Sequence, residues 1–216
     1  MGEYLSKAII FDFDGTLVDS EITIHKCFLT ITNYLAPERF DYAQNILIGP
    51  PLRDTASEIL GPNHQGKLDE FVKLFIEMHD DHAIKNTQPY PDVIETLKKL
   101  SSKGISMAVA TNKRYAPTIK LINHFDWQGY FTSIECSDGD GQSQIRNKDE
   151  MIQEILKNNN FNRAFFIGDT VNDGLSANLN QLPFILASYG YGRDQDWSKV
   201  NVKKDIQNFS EILQLI

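Results

Sequence analysis

Residues 7–20 read KAIIFDFDGTLVDS, a continuous apolar run that ends abruptly in Asp12, Asp14, Gly15 and Thr16. A run without polar alternation is the pattern of a strand covered on both faces, as in a parallel sheet. Such a strand delivers its last residues to the carboxyl rim of the sheet, where open α/β folds bind their ligands. This one stretch therefore points both to the fold class and to the place where chemistry is expected.

Working outward, similar short apolar runs recur at Ile105–Ala110, Phe131–Cys136, Ala164–Ile167 and Phe184–Ala187. Between them lie segments with apolar residues at helical spacing: Tyr115–His124, Lys148–Lys157 and Val171–Leu179. Strands alternating with helices predict a Rossmann-like parallel sheet flanked by helices. The rhythm fails from Asp19 to Gln88, where the candidates are helices at Ile22–Tyr34, Tyr42–Leu47, Leu52–Leu60 and Leu68–Ile84, separated by Pro37, Gly49-Pro50-Pro51 and Gly61-Pro62. A small all-helical domain, residues 19–88, inserted into a core formed by 1–18 and 89–216 is the simplest account, with hinges at Leu17–Ser20 and Gln88–Pro91. After re-entry, Asp92–Leu100 reads as a helix closed by Gly104, and Ser210–Ile216 as a short terminal helix.

Composition narrows the class. The 216 residues are 41% hydrophobic and 23% charged, enough for a real core, with a net charge of −8 and no basic run to track a phosphate backbone. Polymeric nucleic acid is not an expected partner. No segment has the apolar length of a membrane span, and the first residues, MGEYLSK, lack the apolar centre of a secretion signal. Met1-Gly2 with Ser6 fits the minimal myristoylation pattern, but Glu3 beside the glycine and the early strand argue against it. Cys27 and Cys136 fit neither a zinc pattern nor a disulfide framework and read as reduced thiols, so the expected location is the cytoplasm.

The strand ends carry the chemistry. The first run ends in Asp12-Phe13-Asp14-Gly15-Thr16, the second in Thr111-Asn112, and the fourth in Gly168-Asp169-Thr170-Val171-Asn172-Asp173, while Lys148 opens the helix after the third. Four carboxylates, a hydroxyl and an ammonium would meet on one rim. That much acid calls for a cation, and oxygen ligands select a hard ion such as Mg²⁺.

These motifs, FDFDGT at 11–16, TN at 111–112, Lys148 and GDTVND at 168–173, resemble those of the haloacid dehalogenase superfamily hydrolases, specifically the phosphoglycolate phosphatase-like branch with a helical cap. The resemblance runs from Lys7 to about Tyr191 and implies a phosphatase. Asp12 would attack phosphorus to form an aspartyl-phosphate. Asp14, two residues on and so on the same side of an extended chain, would protonate the leaving oxygen and then deprotonate water. Thr111, Asn112 and Lys148 would bind the phosphoryl oxygens, while Gly15 turns the chain and Thr16 bonds locally. The metal ligands implied are Asp12, the Asp14 backbone carbonyl, Asp169, and Asp173 directly, through water or by orienting Lys148. Arg146 competes with Lys148 for the lysine's role, and the spacing to the helix favours Lys148.

In the cap, Gly49-Pro50-Pro51-Leu52-Arg53 looks like a substrate-specificity loop, with Arg53 suited to grip an anion and an ion pair with Glu58 or Asp54 as its structural counterpart. Lys113 would add charge near the phosphate. The expected substrate is a small anionic phosphate ester, phosphoglycolate first and a nucleoside monophosphate second; a phosphosugar mutase and a non-catalytic phospholigand-binding protein are the rivals. Asp14 argues against halide chemistry, and Lys148-Asp149 in place of Lys-Pro against the mutase. Oligomeric state is not legible.

Other features read as structure. Ser137–Gln142 lacks the glycine and glutamate that a calcium loop from Asp138 would need at Ser143 and Asp149. His79 and His82, with Asp80 and Asp81 between them, read as a solvated face. Trp127, Tyr130 and Phe131 read as packing, and Asn208-Phe209-Ser210 matters as a sequon only in a secreted protein.

Overall fold

The apolar run quoted above becomes the central strand β1 (Lys7–Phe11). A computed structural model describes residues 7–139, 145–159, 161 and 163–215, without the side chains of Lys7 and residues 81–83. After β1 come the short strand β2 (Val18–Asp19), helices α1 (Glu21–Leu35), α2 (Phe40–Ala43), α3 (Leu52–Leu60) and α4 (Leu68–Asn86), and the return strand β3 (Gln88–Pro89). The alternating part follows as α5 (Val93–Ser102), β4 (Ser106–Thr111), α6 (Tyr115–His124), β5 (Ser133–Cys136), α7 (Lys148–Asn159), β6 (Arg163–Gly168), α8 (Val171–Leu179), β7 (Phe184–Ala187) and β8 (Val202–Ile206).

The main sheet has the order β5-β4-β1-β6-β7-β8, every pairing parallel. The chain moves outward on one side of β1 and then returns to build the other, which makes the ends of β1, β4 and β6 a topological switch point. Phe11 is in register with Val109 on one side and Ile167 on the other, so the residues that follow leave the sheet at one level. Successive side chains of β1 alternate faces. Ile9 and Phe11 join Leu97, Val109, Trp127 and Phe209 in one core, and Ala8 and Ile10 join Met151, Ile152 and Phe166 in the other.

The helices α1–α4 enclose a separate apolar cluster built on Phe28, Ile31, Ile59, Phe71 and Phe75. Both chain crossings between this cluster and the sheet run through an antiparallel ribbon in which Val18 pairs with Pro89 and Asp19 with Gln88. Tyr90 N–H also donates to the Leu17 carbonyl at 3.1 Å. The two crossings are thus tied to each other.

Several elements differ from expectation. The helix predicted at Tyr42–Leu47 is instead the single turn α2, because the chain after Ala43 leaves the helix to bury Ile46 and Ile48 on its way to Gly49-Pro50-Pro51. The terminal helix is a 3₁₀ segment, Phe209–Gln214, whose Phe209 and Ile212 pack under the sheet. β8 is an edge strand with only Val202 and Ile206 as apolar members. Trp127 is fully buried, as packing requires. The myristoylation pattern, the first residues of the chain and residues 140–142 of the Ser137–Gln142 turn lie outside the described residues.

Candidate active site

The first turn beyond β1 is fixed by its backbone. Asp12 N–H donates to the Ile167 carbonyl at 2.8 Å, prolonging the ladder by one residue, and Gly15 N–H donates to the Val18 carbonyl at 2.8 Å. Gly15 takes φ +84°, and a Cβ there would stand 2.2 Å from Asp169 Oδ2. Only glycine lets the loop turn this way and lie against the carboxylate of the neighbouring strand.

Asp12 is almost fully buried, and Lys148 Nζ at the start of α7 donates to its Oδ1 at 2.8 Å. The same ammonium donates to Asp173 Oδ1 at 2.5 Å. Asp173 sits in the first turn of α8, where Thr170 caps the helix, and its Oδ2 accepts from Asp169 N (3.2 Å), Thr170 N (2.9 Å) and Thr170 Oγ1 (2.7 Å). Both oxygens of Asp173 are therefore committed to holding Lys148 and the helix start. Asp169 accepts from Thr16 Oγ1 at 3.2 Å and from Tyr191 N–H at 2.8 Å.

Side-chain oxygens of Asp12, Asp169 and Asp173 lie within 4.8 Å of one another, all buried. Lys148 is the ammonium set among these three carboxylates, and the imbalance is visible in their acidities. Burial, reinforced by the Asp173 charge and opposed by Lys148, pushes Asp12 up to about 7. Burial and the charges of Asp173 and Asp12 raise Asp169 well above the carboxylate range. Burial disfavours the Lys148 ammonium too, but Asp12 and Asp173 overcome it and raise its pKa. An all-oxygen, cation-deficient cluster of this kind fits a hard divalent ion. Asp12 and Asp169 accept fewer hydrogen bonds than Asp173 and so could ligate it more readily.

A second cluster forms around Asp14, on the side facing the helices. Its carboxylate accepts from Lys113 Nζ at 3.0 Å on each oxygen and from Ser20 Oγ at 2.6 Å. Ser20 N–H in turn donates to Tyr191 Oη at 2.8 Å. Lys113 Nζ lies 3.5 Å from His79 Nε2 of α4, and the His79 ring stacks on Phe75 with centroids 5.3 Å apart. Thr111 Oγ1 accepts from the Lys113 N–H at 3.1 Å, a bond that does not use its own O–H, and Asn112 Nδ2 donates to the Gly49 carbonyl at 2.8 Å, tying the helical insertion to the end of β4.

Residues 9–187 match the family of haloacid dehalogenase-like hydrolases. The chain belongs to that family. Among curated relatives it is 30% identical over 192 residues to a phosphoglycolate phosphatase of Rhodobacter capsulatus, covering 87% of this chain and 86% of the relative. It is 27% identical over 191 residues to a 5'-nucleotidase of Pseudomonas aeruginosa, covering 87% and 85%. A haloacid dehalogenase-like family hydrolase from Streptococcus pneumoniae shares the fold at a TM-score of 0.80 with 23% identity, 98% of each chain being covered.

In this haloacid dehalogenase-like hydrolase the strand ends bring together Asp12, Asp14, Thr111, Lys148, Asp169 and Asp173 much as their order predicts. Lys148 rather than Arg146 enters the site; Arg146 is held outside by Glu135 and Glu154 at 2.8 Å each. Two expectations are corrected. Arg53 is not among the residues lining the cavity at Asp12: its guanidinium pairs with Asp69 at 2.7 Å, the arginine half exposed and the aspartate largely so. Leu52 and Thr55 supply the inward face of α3, and Arg53 lies one residue after the first and two before the second, off that face. His79 is not on a solvated face but is 2% exposed and lines the cavity. It lies one turn after Phe75 and two after Phe71, on the buried stripe, while Asp80 points aside to Arg114. Ser20 and Tyr191 were not foreseen, since a lone serine and a tyrosine in a loop carry no motif.

Proposed function

We propose that this hydrolase is a phosphoric monoester hydrolase working through an aspartyl-phosphate on Asp12, with Mg²⁺ as its cofactor. The observation that carries the reading is the pair of carboxylates two residues apart in different settings: Asp12 buried against Lys148, Asp14 facing the cavity on Lys113 and Ser20. Two acids so separated suit two roles, one attacking and one exchanging protons.

Asp12 attacks phosphorus, forming the Asp12 Oδ–P bond as the ester P–O bond breaks. The departing oxygen takes its proton from Asp14. Asp14, now ionised, accepts a proton from a water molecule that attacks the phosphorus of the aspartyl-phosphate; that bond breaks and inorganic phosphate leaves with Asp12 restored. Lys148 neutralises charge on the transferring group, and Thr111 with Asn112 positions it. Asp12, Asp169 and the Asp14 carbonyl would hold Mg²⁺, with Asp173 orienting Lys148. Bound there, the ion supplies positive charge to the phosphoryl oxygens.

The helical insertion, taken as residues 19–88, closes over this site and limits water. The relatives' names bring in two substrates, phosphoglycolate and a 5'-nucleotide, both small phosphate esters. We place the enzyme in the cytoplasm, consistent with Cys27 and Cys136 being buried free thiols. Among the described residues no helix is long and apolar enough to cross a membrane. The test is phosphate release from a panel of small phosphate esters with and without Mg²⁺, using Asp12→Asn as control. Release that needs Mg²⁺ and vanishes in Asp12→Asn is expected, while an active Asp12→Asn protein overturns the covalent route.

A further inference from the structure

The cavity that Asp12 and Asp14 line is built from two unlike kinds of side chain. Thr111, Asn112, His79, Lys113 and Arg114 supply polar lining, and Ile24 and Phe28 of α1, Ile48, Leu52 of α3 and Phe75 of α4 supply apolar walls. Phe28 and Phe75 lie 4.8 Å apart, ring to ring, and His79 continues the stack. With phosphorus at Asp12, the remainder of an ester would lie in a cavity lined by these side chains.

Every cation among the described lining residues already has a carboxylate. Lys113 holds both oxygens of Asp14 at 3.0 Å, and Arg114 is paired with Asp80. His79 is neutral near pH 7, because burial and then the Lys113 charge lower its pKa. Arg53, the one arginine of the specificity-loop segment, is outside on Asp69. A second anionic group on the substrate would lose its water against phenyl rings and meet only cations already hydrogen-bonded to a carboxyl group, Lys113 to Asp14 and Arg114 to Asp80.

Resting on the phosphomonoesterase reading above, we infer that the leaving group this cavity takes is an uncharged alcohol with an apolar or aromatic body, and that carboxylate-bearing alcohols such as glycolate are disfavoured. Leu52, Phe28 and Phe75 are the residues that set this preference. A neutral nucleoside falls in the accepted class by charge.

The test uses matched esters whose leaving alcohols differ in charge and little in reactivity: benzyl phosphate and 4-carboxybenzyl phosphate for turnover, with the corresponding non-hydrolysable phosphonates for calorimetric binding, all on the Mg²⁺-loaded enzyme. Benzylphosphonate is expected to bind at least about tenfold more tightly than its carboxylate analogue, with a similar ratio in kcat/KM. Leu52→Arg, at the half-buried start of α3, is expected to shrink or reverse both ratios by supplying the missing cation. Equal, reversed or absent binding preference in the native enzyme overturns the inference, and so does a Leu52→Arg protein that keeps the full preference. A binding preference with no turnover of either ester upholds the inference and overturns the phosphatase reading instead.

Discussion

Two ammonium–carboxylate pairs meet the same turn of chain, Lys148 with Asp12 and Lys113 with Asp14, and they are built from different materials. The first lies wholly within the sheet and the helix starts behind it: Lys148 is pinned by Asp173, which is pinned by the first turn of α8. The second is assembled across the chain crossing, from Ser20 beside β2, Tyr191 after β7 and His79 of α4. The surroundings of Asp12, the proposed nucleophile, are therefore set by the sheet and the helix starts behind it, whereas those of Asp14, the proposed acid, depend on where the helical insertion sits. On the proposed mechanism, an insertion that contacts Asp14 rather than Asp12 would tie proton transfer to closure without disturbing the attacking oxygen.

Removing the ammonium of each pair separates them. Lys148→Met leaves three buried carboxylates without their cation, and a loss of about 3–5 kcal/mol in unfolding free energy is expected from urea titration of metal-free protein, with turnover abolished. Mg²⁺ should return part of that stability, since it binds the folded cluster, but not the turnover. An unchanged urea midpoint would mean that the cluster does not need Lys148 for charge balance. Lys113→Met acts on an acid that keeps Ser20 and partial access to water, so a smaller loss of about 1–3 kcal/mol is expected. Its main effect is on turnover, down about 10–100-fold, read as a displaced pH profile of kcat rather than a change in KM. If Lys113→Met destabilised as much as Lys148→Met, the distinction between a sheet-built and a lid-built pair would disappear.

The same division explains how much was legible in the sequence. Asp12, Thr111, Asp169 and Lys148 sit where strands and helices begin and end, and the periodicity that reveals an element also reveals its end. β8 escaped because an edge strand is exposed on most of its length, and VKKDI shows charges where a buried strand would show apolar residues. The second cluster was hidden for another reason: Ser20, His79, Lys113 and Tyr191 are far apart in the chain and share no motif. For His79 a signal existed in the four-residue spacing of Phe71, Phe75 and His79, but the adjacent Asp80 and Asp81 suggested a wet face. Neighbours in sequence point about 100° apart on a helix, so they say little about each other's burial. Arg53 failed by the same rule, one position away from the inward-facing Leu52.

The smallest of the expected effects probes the lid's contribution to the second pair through His79. Burial first and Lys113 second hold its pKa below the ordinary 6.5, with Asp80 and Asp14 pulling the other way. Between that lowered value and 6.5 the unfolded chain binds a proton that the folded enzyme does not, so stability falls as pH drops below 6.5. His79→Phe keeps a ring against Phe75 and removes the titration. Thermal midpoints compared at about pH 7.5 and about pH 5.5 should drop more for the native enzyme than for His79→Phe, the variant isolating this one group from the other titrations. Equal drops would mean that a charged imidazole is tolerated 3.5 Å from the Lys113 ammonium. The helical insertion would then add no electrostatic weight to the Lys113–Asp14 pair, and closure would have to act on the acid through Ser20 and Tyr191 alone.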